Sequence, residues 1–164
     1  MNKLDAALLI LRVSVGCSLA YHGFNKAKNF VGTSSWFASI GMKWPKQQSF
    51  AAVFTEIVGG LGLALGLVTP LTLASVIALM VVAIFTVHRS VGYFIFLPNG
   101  GWEYCASIIA VCAALSLTGP GALSVDDVLD IDPSISHWAL PLGIIAAVCH
   151  LALSWRPPSR SVTP

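Results

Sequence analysis

Five long apolar runs, interrupted by few charges, decide what this chain can fold into. They extend from about Leu4 to Phe24, Phe50 to Val68, Leu71 to Val87, Trp102 to Leu117 and His137 to Trp155. A helix that crosses a bilayer needs about 20 mostly apolar residues, and each run meets or approaches that length. Lipid offers no partners to backbone N–H and C=O groups, so each crossing must close its own hydrogen bonds as a helix. Sixteen charged side chains among 164 residues cannot coat a water-soluble globule of this composition, which is 56% hydrophobic; an ordinary soluble domain is roughly 25% charged. The sequence therefore predicts an all-α integral membrane bundle. High hydrophobicity excludes a disordered chain. A net charge of +2 with no basic cluster excludes a nucleic-acid surface. Cys17, Cys105, Cys112 and Cys149 lie in apolar runs without a CxxC pair. They read as small apolar membrane side chains rather than as a disulfide framework or a zinc site. The first run carries Arg12 in its middle and lacks a small-x-small cleavage site, so it is expected to be a retained helix and not a signal peptide.

The connections set the topology. Thr69-Pro70 is so short a link that the second and third spans must form a tight antiparallel hairpin. Residues 25–49 form a long first loop. Within it, Thr33-Ser34-Ser35 are expected to cap a short helix carrying Trp36, Phe37 and Ile40, which Gly41 ends. Trp36 and Trp44 beside Lys43 and Lys46 suggest a segment lying on the headgroups. Residues 119–136 hold Asp126, Asp127, Asp130 and Asp132 and are expected to be a solvated acidic surface; the tail from Arg156 is expected to fray. Lys26, Lys28, Lys43, Lys46, Arg89, Arg156 and Arg160 fall on one side, against Lys3 and the acidic loop on the other. The positive-inside rule then predicts an inner-membrane protein with its N-terminus outside and its C-terminus cytoplasmic.

Ionisable residues inside a membrane are costly and face the bundle interior or a water-filled cavity. Arg12, Glu56 and Glu103 are the clear cases, and His22 and His88 lie near helix ends. At about 1.5 Å rise per residue, His22 and His88 end helices running toward the basic side, while Glu56 and Glu103 begin helices running back from it. Arg12 is deeper, with a side chain long enough to reach toward that half. These five groups are expected to converge, with Arg12 paired to Glu56, to Glu103 or to both. Small residues let membrane helices approach closely. Gly16 and Gly23 near the Arg12 face, Gly59 and Gly60 near Glu56, and Ser107, Ala110 and Ala114 on the Glu103 face should therefore point inward. The plainer alternative is that the ion pair only fixes helix register and the histidines are interfacial.

In order and spacing, these residues resemble the DoxX family of small bacterial membrane proteins. The likeness runs through Arg12-x-x-x-Gly16 and Tyr21-His22-Gly23-x-x-Lys26, then Ile40-Gly41-Met42-x-x-Pro45. It continues through Glu56-x-x-Gly59-Gly60-x-x-Leu63-x-x-Gly66, Thr69-Pro70, His88, Gly101-Trp102-Glu103-Tyr104 and Gly119-Pro120-Gly121-x-x-Ser124. It implies a four-helix core within residues 1–127. Residues 128–164 then add the acidic loop, a fifth membrane helix and a polar tail. The resemblance also implies membrane-linked redox chemistry: DoxD-type relatives take part in quinone-linked thiosulfate oxidation, and some members are linked to thiol homeostasis and oxidative-stress complexes.

With no nucleotide fingerprint, no CxxC and no His/Cys metal cluster in the sequence, quinone is the expected electron carrier, because it dissolves in the bilayer. In the first reading the chain is a quinone-interacting redox subunit. Glu56, Glu103, His22 and His88 would handle protons and Arg12 would stabilise charge on a quinone oxygen. Trp102, Tyr104 and Lys26 would line the cofactor pocket. In the second it is a non-catalytic accessory or assembly subunit of a larger membrane complex, docking other membrane or redox subunits through the fifth helix and acidic loop. Two further readings are a b-type haem held by His22 and His88 and a small-solute carrier, the latter lacking inverted repeats and broken helices.

Overall fold

The computed structural model describes residues 2–158, and all five apolar runs are helical in it. Helix α1 spans Lys3–Lys28 and the short α2 spans Phe30–Ser39. Helix α3 spans Pro45–Leu65 and α4 spans Thr69–His88. Helix α5 spans Glu103–Thr118, and a single turn, α6, spans Val125–Val128. A 3-10 stretch, Pro133–Trp138, leads into α7, Ala139–Ser154. Lys3–Lys28, Pro45–Leu65, Thr69–His88 and Pro133–Ser154 are long and apolar enough to cross a membrane; α5, at 16 residues, is shorter. The protein is an all-α membrane bundle.

Two boundaries differ from expectation. The second span starts at Pro45 rather than Phe50, because proline fits the first turn of a helix, where its missing N–H costs nothing. The polar Lys46-Gln47-Gln48-Ser49 stretch hides that start from a hydropathy reading. In the first loop, Asn29 and not Thr33-Ser34-Ser35 caps the short helix, its side chain accepting from the Gly32 amide at 3.1 Å. The three hydroxyls instead donate to carbonyls one to two turns back, at Lys26, Phe30 and Val31.

The spans pack through small residues. On the α1–α3 seam, a Cβ added at Gly60 would come within 2.7 Å of the Gly16 carbonyl oxygen and 2.8 Å of the Ala20 amide nitrogen. Two backbones thus touch with nothing between them, as glycine allows. Helix α4 runs through the middle, with Leu73, Val76 and Ile77 fully buried against Leu63 of α3 and Cys105, Cys112 and Leu115 of α5. Helix α7 lies along α4: a Cβ at Gly143 would meet the Ala74 carbonyl at 2.7 Å, and Ala139 and Ala147 are buried. Large apolar side chains such as Ile10, Phe54 and Ile145 face outward along the spans, where hydrocarbon receives them.

The turns gather at two ends. One holds the α3–α4 turn and the 119–138 segment with its four aspartates. The other holds α2, the 89–102 loop and Trp155, with Lys26, Lys28, Lys43, Lys46, Arg89 and Arg156. The expected contribution of Arg160 to this basic end lies outside the described residues. At the acidic end, Asp132 caps the 3-10 stretch, and hydrogen bonds from the Ser134 hydroxyl and amide hold its carboxyl below the usual carboxylate range.

At the basic end the chain after α7 pairs antiparallel with the segment after α2. The Lys43 amide donates to Ser154 at 2.8 Å, Arg156 donates to Gly41 at 2.9 Å, and the Trp155 indole donates to Ile40 at 2.8 Å. Gly41 has φ +86°, and a Cβ there would sit on the Arg156 carbonyl. Gly41→Ala is therefore expected to open this clasp. Limited proteolysis should cut the chain after Ser154 faster than in the wild type while the melting temperature falls by only a few degrees, as roughly 1 kcal/mol of local strain implies.

Candidate functional site

Two of the long helices contain a π turn, and each delivers a polar side chain to the same region of the basic end. In α3 the widened stretch is Thr55–Gly59, carrying Glu56; in α4 it is Ile84–His88, ending in His88. The Arg89 amide reaches back to the Ile84 carbonyl at 2.7 Å, the i→i+5 spacing of such a turn. Inserting one residue into a helix this way rotates the side chains beyond it, and such turns concentrate at functional sites.

Glu56 is only 4% exposed. One carboxylate oxygen pairs with the Lys26 ammonium from α1, in the one salt bridge found among the described residues. Gly23 makes the reach possible: it stands one turn before Lys26, and a Cβ there would lie 2.9 Å from the Glu56 Cβ and 2.6 Å from Ile57 Cγ1. The second oxygen, Oε2, is buried and has no hydrogen-bond partner among the described residues. Such an atom is costly to bury, which makes it a position where a donor would bind.

The Tyr104 hydroxyl, from the first turn of α5, lies 2.7 Å from His88 Nε2, and His88 Nδ1 lies 2.8 Å from the Gly100 carbonyl oxygen. A carbonyl only accepts, so Nδ1 carries the proton, and the tyrosine hydroxyl donates to Nε2. Cys105, next in sequence to Tyr104, is fully buried, and the Lys26–Glu56 pair stands at the same end of the bundle. The basic end therefore carries a cluster of two polar pairs, Lys26 (α1) with Glu56 (α3) and His88 (α4) with Tyr104 (α5).

Not all the expected residues join it. Arg12 is fully buried but points to the opposite, acidic end, and it pairs with neither Glu56 nor Glu103. Its guanidinium donates to the Leu123 carbonyl at 2.6 Å and the Ala64 carbonyl at 3.2 Å, with Asp126 near enough to attract its charge. A side chain of that length reaches either half from mid-helix, and the carbonyls freed where α3 ends provide the stronger claim on it. His22 is exposed on the outer side of α1. Since both ring nitrogens of His88 are also engaged, the haem expectation finds no free ligand nitrogen at His88. Glu103 stays at the mouth of α5, where its carboxylate accepts from the Ile95 amide at 3.0 Å. A carboxylate satisfied at a helix end has no need of the interior, and Ser107, Ala110 and Ala114 on its face are exposed rather than inward. Trp102 packs edge-on against Tyr93, with ring centroids 4.6 Å apart, as part of the loop.

The acidic loop is also not merely a solvated surface. Asp126 is 2% exposed; its carboxylate accepts from the Val68 and Thr69 amides at 2.6 and 2.8 Å, and its own amide donates to the Gly66 carbonyl at 2.9 Å. It satisfies the first amides of α4 from outside the helix. Sequence reasoning missed this role, because nothing in the spacing of the four aspartates distinguishes Asp126 from its neighbours.

The comparisons with known proteins agree with this architecture. The DoxX family model matches residues 7–89. The chain is 29% identical over 127 residues to a Bacillus subtilis (strain 168) protein named "Putative oxidoreductase CatD", an alignment covering 77% of this chain and 90% of that one. It is 31% identical over 128 residues to "Inner membrane protein YphA" of Escherichia coli (strain K12), covering 73% of this chain and 87% of the relative. No solved structure matches it. The family match takes in α1 to α4 and with them Lys26, Glu56 and His88, and both relatives align over most of their length: this multi-pass bacterial membrane protein belongs to the DoxX family.

Proposed function

We propose that this chain is a membrane subunit of a quinone-linked oxidoreduction, with the Lys26–Glu56–His88–Tyr104 cluster as its proton-handling site. The observation that carries the reading is the buried Oε2 of Glu56, which has no donor among the described residues. A hydroquinone hydroxyl is a donor of the kind this oxygen lacks, and Lys26 offers a charged donor beside it. When bound, a quinone supplies a two-electron, two-proton couple that is soluble in lipid. The electrons pass to or from a partner redox subunit, whose existence is part of the proposal.

The protein's own share is binding and proton transfer. Glu56 Oε2 would hold a bound hydroxyl and could take up its proton, and the Lys26 ammonium offsets the carboxylate charge in a medium where an unpaired ion is expensive. Tyr104 and His88 would form a second path: Nε2 could take the hydroxyl proton across 2.7 Å as the tyrosine oxygen gains one from a bound hydroxyl, while Nδ1–H stays on Gly100 and keeps the ring in place. We further propose that the basic end faces the cytoplasm, by the positive-inside rule, which puts the N-terminus outside.

The test is titration of the detergent-purified protein with decylubiquinol, read by tryptophan fluorescence. Wild type should saturate, and Glu56→Gln should weaken binding roughly 10- to 100-fold, the loss of one charge-assisted hydrogen bond of about 1.5–3 kcal/mol. Melting curves of the same samples establish that the variant is folded. A folded Glu56→Gln protein that titrates like wild type would sink the assignment.

A further inference from the structure

Helix α5 has 16 residues, whereas the other spans have 20 to 26. At about 1.5 Å rise per residue it is about 24 Å long, short of the roughly 30 Å of hydrocarbon to be crossed. The missing length can be made up at only one end. Beyond its C-terminus the chain turns through Gly119-Pro120-Gly121 into the acidic segment. Before its N-terminus stands Tyr93-Phe94-Ile95-Phe96-Leu97, in which the first four side chains are exposed, Phe96 by 78%.

Non-helical backbone is tolerated at membrane depth only where its polar groups are satisfied by protein, and in this loop many are. The Glu103 amide donates to Tyr93 at 2.8 Å, Trp102 to Gly92 at 3.1 Å, Gly101 to Phe94 at 3.0 Å and Gly100 to Leu97 at 2.8 Å. The Ile95 amide is taken by the Glu103 carboxylate. The apolar side chains point outward from this closed frame, with Phe94 and Phe96 stacked at 5.1 Å. Around the same end stand Lys28, Lys43, Lys46 and Arg89, the complement of anionic headgroups.

We propose that residues 92–102 form a re-entrant cap seated among the acyl chains of the leaflet at the basic end, beneath anionic phospholipid headgroups, and that this cap completes the fourth crossing. Its occupant is lipid. It also bears on the cluster, since the loop's Gly100 carbonyl holds His88. The inference rests on the length of α5 and the bonding of the loop, and stands whether or not a quinone binds.

The test places a nitroxide at Phe96→Cys in the full chain with the exposed Cys17 and Cys149 changed to serine, reconstituted in phosphatidylethanolamine–phosphatidylglycerol vesicles. Collision rates with oxygen and with a water-soluble nickel chelate report depth. The label should resemble one at the lipid-facing position Leu61→Cys: accessible to oxygen, and several-fold less accessible to nickel than one at Asp130→Cys in the acidic loop. Nickel accessibility equal to that at Asp130→Cys would put the loop in water. Shielding from both reagents would put it against protein. Either result overturns the proposal. Phe94→Cys provides an independent label on the same face should the first variant fail to fold.

Discussion

Replacing Arg12 with alanine is expected to destabilise the bundle by roughly 3–5 kcal/mol, from the two charge-assisted hydrogen bonds that it removes, and to lower the melting temperature in detergent by roughly 10 °C. The guanidinium is fully buried and ties α1 to the carbonyls of Ala64, at the end of α3, and Leu123, in the acidic loop. Alanine leaves both carbonyls without that donor, vacates the space of a long side chain, and strips Asp126 of its neighbouring positive charge. Lysine should recover only part of the loss, because one ammonium does not reproduce a planar fork that reaches two acceptors at once. Fluorescence-detected size exclusion after graded heating checks both variants. A melting temperature for Arg12→Ala within a degree or two of wild type would remove the structural role given to this residue.

Gly60→Val should be nearly as damaging, by a different route. A Cβ at this position meets main-chain atoms of Gly16 and Ala20, which have no rotamer through which to yield. Helices α1 and α3 would have to separate, and overpacking of this kind costs about 1–3 kcal/mol or more. The separation also matters chemically, because the Lys26–Glu56 pair bridges the same two helices. The expected result is a lower melting temperature together with weakened quinol titration, with Gly60→Ala intermediate in both. A valine variant as stable as wild type would mean that the seam is looser than the structure depicts.

Much of the fold was legible in the sequence because lipid imposes a length and a composition that few other environments do. The five helices, the Thr69-Pro70 hairpin and the division into a basic and an acidic end all follow from that constraint. The site was legible in part. Glu56, His88, Tyr104 and Lys26 could be placed at one end by counting residues along helices, since depth follows from rise per residue. Arg12 could not: counting locates its Cα, but a flexible side chain near mid-helix reaches either way, and its acceptor at Leu123 lies 111 positions away in sequence. The Glu103 face was misjudged because small residues pack helices together and are equally tolerated facing lipid. Here the carboxylate was satisfied by a loop amide that no helical periodicity encodes. Asp126 was hidden among three other aspartates whose composition suggested only solvation. The π turns at Glu56 and His88 leave no pattern in hydropathy, yet each sets the rotation of the side chains around it.

The clasp between the segments after α2 and after α7 has a consequence for how the protein is made. Gly41 and Lys43 emerge early in synthesis, but their partners, Ser154 and Arg156, are translated more than a hundred residues later. Until then the Lys43 amide and the Gly41 carbonyl must stay with water or headgroups, and the groove along α4 that receives Gly143 stays open. Helix α7 therefore does more than add a crossing: its arrival closes the clasp, joining early and late parts of the nascent chain in a single step. A ribosome that stops short of Ser154 releases a protein whose first loop has nothing to hold.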